Sequence, residues 1–160
     1  MAYTLEAFVA RKAIFGQAVL CNGMRIVALP QEFALIPFDD ELCNAFPGAT
    51  AALHVALCKL TPAAAEWAAA LSRFGPVAYL EAEFFGGIGS QAAVVWQEKR
   101  VTLGPLHTQT VWKDGACSAL PLREQAFNTA LRLLGVNADG HPDEFDALGL
   151  GRHRRTEAWV

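Results

Sequence analysis

Val77-Ala-Tyr-Leu-Glu-Ala-Glu-Phe-Phe85, then Gly86-Gly-Ile-Gly-Ser90, then Gln91-Ala-Ala-Val-Val-Trp-Gln97: the reading of this stretch decides the fold. Val77, Tyr79, Glu81 and Glu83 alternate with Ala78, Leu80, Ala82 and Phe84. A period of two marks an extended strand with two unlike faces. The second apolar run is also strand-like, and the five residues between the runs, three of them glycine, have the length of a hairpin loop. A phosphate cradle would need the glycines to open a helix and to be followed by a lysine and a hydroxyl. Ala92-Ala-Val-Val-Trp96 instead continues as strand, so the glycines are assigned to a turn.

Outward from this hairpin, residues 100–106 read as a third neighbouring strand, and Lys113-Asp-Gly115 as a turn. Upstream, Tyr3, Leu5, Ala7 and Val9 alternate with Thr4, Glu6 and Phe8, which predicts another strand. Residues 25–29 and 33–38 flank Pro30-Gln-Glu32 and read as a further hairpin. Helices are expected over residues 13–21, closed by Asn22-Gly23, and from Asp39-Asp40 to Phe46, stopped by Pro47-Gly48. Residues 49–60 fit either period and are read as helix on their alanines.

Thr61 and Pro62 open the clearest helix, with Ala63, Trp67, Ala70, Leu71 and Phe74 as its apolar stripe and Gly75-Pro76 as its end. A second long helix is expected over residues 121–134, capped at Ser118 or its neighbours. Its inward residues would be Leu122, Ala126, Ala130, Leu133 and Leu134, and Gly135 would terminate it. A short helix over residues 143–148 then leads into a charged tail ending near Trp159. Strands joined by short turns and interrupted by unequal helices predict an α+β fold: one domain over residues 1–160, with an antiparallel or mixed sheet and helices packed on it.

Composition narrows the partners. The chain has 160 residues, of which 53% are hydrophobic and only 18% charged. That leaves room for apolar surface, so a homodimer or a protein partner is expected. A net charge of −3 disfavours nucleic acid, whose binding needs clustered Lys and Arg, and Arg152-His153-Arg154-Arg155 is too short a cluster to supply it. Cys21, Cys43, Cys58 and Cys117 form no CxxC pair, so a zinc ribbon or dithiol motif is excluded and buried free thiols are expected. Glu6 stands where a secretion signal would be basic and then apolar, and residues 49–60 are too short to span a bilayer. These features predict a cytoplasmic protein with no membrane contact, no metal and no cofactor.

Glu81 and Glu83 are the leading site candidates, because side chains two apart on a strand share a face at about 7 Å. They could meet solvent, bind a cation, pair with arginines, or act as acid and base. Of the histidines, His54 sits in an apolar run as a core residue would, while His107 follows Leu-Gly-Pro-Leu at an expected strand end, where loops carry function. His141, Asp143, Glu144, Asp146 and His153 match no metal-ligand spacing. Ser90 and Ser118 lack a nucleophile elbow, and no histidine is placed beside Cys117.

Gly75-Pro-Val-Ala-Tyr-Leu-Glu-Ala-Glu-Phe-Phe-Gly-Gly87 and Glu144-Phe-Asp-Ala-Leu-Gly-Leu-Gly-Arg-His-Arg154 resemble stretches of a group of small uncharacterised bacterial proteins. Residues 103–106 and the N-terminal strand are similar too. The resemblance implies that Glu81, Glu83, Arg152 and His153 lie in signature stretches, and it brings no activity with it. Two functions follow from the residues. One is a small intracellular binding protein, an antagonist or regulator of another protein such as an immunity-type factor, with an acidic face around Glu81 and Glu83. The alternative is a hydrolase or transferase that joins Glu81 and Glu83 to Arg152 and His153. A third reading makes those residues an ion-pair network that ties the tail to the sheet.

Overall fold

The structure is a computed structural model and describes residues 1–46 and 54–160. One antiparallel sheet runs in the order β2-β3-β1-β4-β5-β6-β7. Its strands are β1 (Ala2–Arg11), β2 (Val27–Ala28), β3 (Phe33–Pro37), β4 (Val77–Phe85), β5 (Ile88–Gln97), β6 (Arg100–Lys113) and β7 (Ala116–Ser118). Among the described residues the helices are α1 (Lys12–Phe15), α2 (Asp40–Ala45), α3 (Pro62–Leu71), α4 (Ala126–Leu134) and α5 (Glu144–Ala147). The α+β expectation holds, and among the described residues every strand pair is antiparallel.

Both faces of the sheet are covered, which explains why its central strands are apolar at odd and even positions alike. Leu5, Ala7, Val9, Ala78, Leu80, Ala93 and Val95 point into one core, closed by α4, α5 and Trp159. Phe8, Ala10, Val77, Tyr79, Val94 and Trp96 point into the other, closed by α1, α2 and α3. Phe8 makes the aromatic centre of this second core, with Phe38, Trp67 and Tyr79 all within 5.4 Å of its ring centroid.

The helix caps follow the sequence. Asp39 accepts the Leu42 amide at 2.9 Å, Thr61 the Ala64 amide at 3.3 Å and Asp143 the Asp146 amide at 2.8 Å. Gly135 closes α4 at φ +95°.

Several expectations are corrected. The five-residue glycine loop is a two-residue turn: Phe85 pairs with Ile88, and Gly86 and Gly87 have φ of +61° and +82°. The strand that follows therefore begins before Gln91. The helix expected to Cys21 stops at Phe15, since Gly16 costs helix stability and is the C-cap. Of the helix expected over residues 49–60, residues 49–53 lie outside the described residues. Residues 54–60 are a turn with a His54–Leu57 bridge.

The buried face of α3 is Ala64, Ala65, Ala68 and Leu71, while Ala70 and Phe74 are exposed. A tighter turn at Ser72–Phe74 shifts the phase, so Ser72 goes inward in place of Phe74. α4 begins at Ala126, and its cap residue Gln125 makes no side-chain cap; Ala126, Phe127, Ala130, Leu131 and Leu134 are buried. Leu122 lies in a separate turn, and both it and Leu133 are exposed. Cys58 and Cys117 are exposed rather than buried, as is His54. His107 sits inside β6 rather than at a strand end.

Candidate functional site

Antiparallel register builds the site. Glu6 on β1, Glu81 on β4, Ala92 on β5 and His107 on β6 stand in one row across the sheet. Thr4, Glu83, Ser90 and Gln109 form the next row. All lie on the face that α3 covers over Phe8 and Tyr79, but beyond the reach of that helix. Residues 54–60 fold over the edge of this uncovered area, held down by the buried side chains of Leu57 and Leu60. The result is a cleft of about 170 Å³ bounded by Glu6, Cys58, Lys59, Glu81, Glu83 and His107.

The two sequence candidates on β4 share a face as expected, but their surroundings differ. The Glu81 carboxylate accepts the Cys58 amide at 2.7 Å, the Lys59 amide at 3.2 Å and the Tyr79 hydroxyl at 3.0 Å. Both of its oxygens are thus engaged in fastening residues 58–59 to the sheet. Glu83 is exposed and forms no ion pair among the described residues. Burial, reinforced by the charge of Glu81 and the hydrogen bond to it, pushes the Tyr79 hydroxyl well above its ordinary range, so it stays a proton donor.

Three residues that sequence reasoning passed over complete the arrangement. Glu6 accepts a hydrogen bond from the Thr156 hydroxyl and lies 4.0 Å from the Lys59 ammonium. Burial raises the Glu6 carboxyl above its ordinary value, and the like charge of Glu81 adds to this; the Thr156 hydrogen bond and Lys59 pull the other way. Burial works against the Lys59 charge, yet its hydrogen bond to Asp40 at 3.2 Å, with Glu6 and Glu157 nearby, holds the ammonium above its ordinary value. An isolated glutamate in an alternating strand gave no sign of these partners, one of which lies 150 residues away in the chain.

Arg152 and His153 are placed elsewhere. The Arg152 guanidinium lies 4.8 Å from the centroid of a Trp159 ring, and the His153 ring packs edge-on against Trp159 at 4.8 Å. Trp159 belongs to the core on the opposite face, and neither residue lines the Glu81 cleft. The tail is tied down by other groups. Arg154 offers its carbonyl to the Thr4 amide at 2.9 Å, and Thr156 its hydroxyl to the Glu6 amide at 3.0 Å. Among the described residues no three His, Cys, Asp or Glu side chains gather as a metal site, and no helix is long and apolar enough to cross a membrane.

Past Glu83 the same face turns apolar. Phe85, Ile88 and Val111 are exposed side by side around a shallow depression that also contains Ser90 and Gln109. No family model, curated protein or solved structure matches the chain.

Proposed function

We propose that the chain is a small binding protein that docks onto another protein through the open end of this sheet face, in the manner of an antagonist or regulator. The observation that carries the reading is the patch itself: Phe85 (75% exposed), Ile88 and Val111 form an apolar cluster on neighbouring strands, bordered by the exposed carboxylate of Glu83. An apolar centre with a polar rim is the anatomy of a protein contact. Glu83 adds selectivity for a partner that brings a cation to the rim. The enzyme alternative lacks comparable support, since the oxygens of Glu81 are committed to backbone amides and Arg152 and His153 pack on Trp159.

The test is affinity purification from the native cell with the wild-type chain, with F85D and E83K, and with a control substitution at exposed Gln97. A partner held by wild type and control but lost from both face variants is the expected result. Recovery of the chain alone, or of a partner indifferent to F85D and E83K, discards the reading. Sedimentation of the pure protein separates a second copy of the chain from a foreign partner.

A further inference from the structure

On the opposite face of the sheet, where the chain enters α4, lies a partly enclosed cleft of about 260 Å³. The rings of Tyr3, Phe84, Phe127 and Phe145 form its walls, Ala82 its floor, and Leu122 stands half-exposed beside it. Tyr3 meets Phe145 edge-to-face at 5.9 Å, and Phe127 lies 6.3 Å from Phe145. Phe145 thus braces two of the walls.

The polar groups around the cleft are largely engaged with the protein. Tyr3 donates its hydroxyl to the Leu150 carbonyl at 3.0 Å. Asn128 gives both amide hydrogens away, to the Leu122 carbonyl at 2.9 Å and to Asp143 at 3.1 Å, and accepts the Phe145 amide at 2.9 Å. Asp143 uses its other oxygen on the Asp146 amide. Gln91 accepts the Phe127 amide at 2.7 Å and donates to Gln125 at 3.0 Å, and Gln125 donates to the Leu120 carbonyl at 3.1 Å. What remains is one unused amide hydrogen on each glutamine. Among the described residues no Lys, Arg or His lines the cleft.

We propose that this cleft is a binding site for a small neutral aromatic molecule of one or two rings that carries at most a hydroxyl or carbonyl. Size supports it: an apolar cavity of about 150 Å³ already holds benzene, and this one is larger. The four rings offer stacking and edge contacts to a flat ligand. The spare hydrogens of Gln91 and Gln125 suit a single acceptor. An anion would find no cation and would sit beside Asp143. A cation would give up its hydration to reach Asp143, which is buried at the edge of the cleft and already accepts an amide hydrogen on each oxygen. The site lies on the other side of the sheet from the proposed docking face, so each stands or falls alone.

The experiment is an NMR titration of the ¹⁵N-labelled full chain with indole, benzyl alcohol, benzoate and benzylamine. Saturable shifts are expected at Ala82, Phe84, Phe127 and Phe145 with indole and benzyl alcohol, with dissociation constants on the order of 0.1–1 mM. The charged pair should bind at least about tenfold more weakly. A82L fills the floor and should abolish binding. Should A82L fail to fold, L122W, placed on an exposed residue beside the cleft, decides the matter by weakening binding roughly tenfold. Absence of saturation with both neutral probes overturns the proposal. So do shifts centred elsewhere, equal affinity for the charged probes, or binding that L122W leaves unchanged.

Discussion

Glu81 and Glu83 differ in what they hold, and the difference is measurable. Removing the Glu81 carboxylate leaves the Cys58 and Lys59 amides and the Tyr79 hydroxyl without their acceptor. A stranded hydrogen-bonding group costs about 1–3 kcal/mol where water cannot replace its partner. E81A should therefore lower unfolding stability by roughly 2–3 kcal/mol in urea and open residues 54–60 to proteolysis, while E83Q should stay within about 0.5 kcal/mol of wild type. Equal effects of the two would remove the structural role assigned to Glu81. Glu6, the cross-strand neighbour of Glu81, makes a prediction in pH. At low pH the Glu6 carboxyl is protonated in both the folded and unfolded chain. As pH rises, the unfolded chain releases its proton first, because burial holds the folded value higher. The folded state then binds more protons, so the contribution of Glu6 to stability falls until pH exceeds its raised value. E6Q has no such loss. Its melting temperature relative to wild type should climb from the ordinary glutamate range, about pH 4, toward neutrality and then level off. A difference that is flat across that interval would mean Glu6 does not titrate as described.

Elements built on strictly local signals were legible in the sequence. Alternation placed β1 and β4, Thr61-Pro62 placed the start of α3, and Asp39 and Asp143 placed two more helices, because each depends on neighbours within one turn of chain. The β4–β5 hairpin was legible as a pair of strands but not in its turn. Three nearby glycines allow several loops, and what selects two residues is close backbone packing at Gly89. A Cβ there would lie 2.0 Å from the Glu83 carbonyl oxygen. G89A should accordingly be among the most damaging single changes in the sheet, costing more than about 2 kcal/mol or preventing folding. Gly86 is the reverse case, with φ +61° and open space around it. Asn tolerates that conformation and favours the two-residue turn, so G86N should match wild type or exceed it by up to about 1 kcal/mol in denaturant unfolding. If G86N were as harmful as G89A, the turn assignment would be wrong. The helix over residues 13–21 failed for a comparable reason: its apolar residues satisfied the period, but Gly16 supplied the stop.

At the scale of the whole molecule, the decisive contacts join the two ends of the chain, which no local pattern reveals. β3 pairs with β1 from Ala7 to Arg11, and past that point the edge of β1 is met by Arg154 and Thr156. Trp159 follows and is wholly buried in the core beneath α4. Arg152 and His153 pack on this anchor, and the sheet lies between it and the Glu81 cleft. Among the described residues no carboxylate is paired with Arg152, so the tail is held by an aromatic side chain and by the hydrogen bonds of the Arg154 carbonyl and the Thr156 hydroxyl rather than by an ion-pair network. Three substitutions rank the contributions. W159A removes a buried indole and should cost about 3–5 kcal/mol. W159F should cost far less, because the indole N–H is buried and has no partner among the described residues, so its removal offsets part of the lost packing. R152A gives up only a cation–π contact at the protein surface, worth about 0.5–1 kcal/mol. Chemical denaturation of the three variants should give that order. An R152A loss as large as that of W159A would restore the guanidinium as the anchor of the tail, and with it the ionic reading.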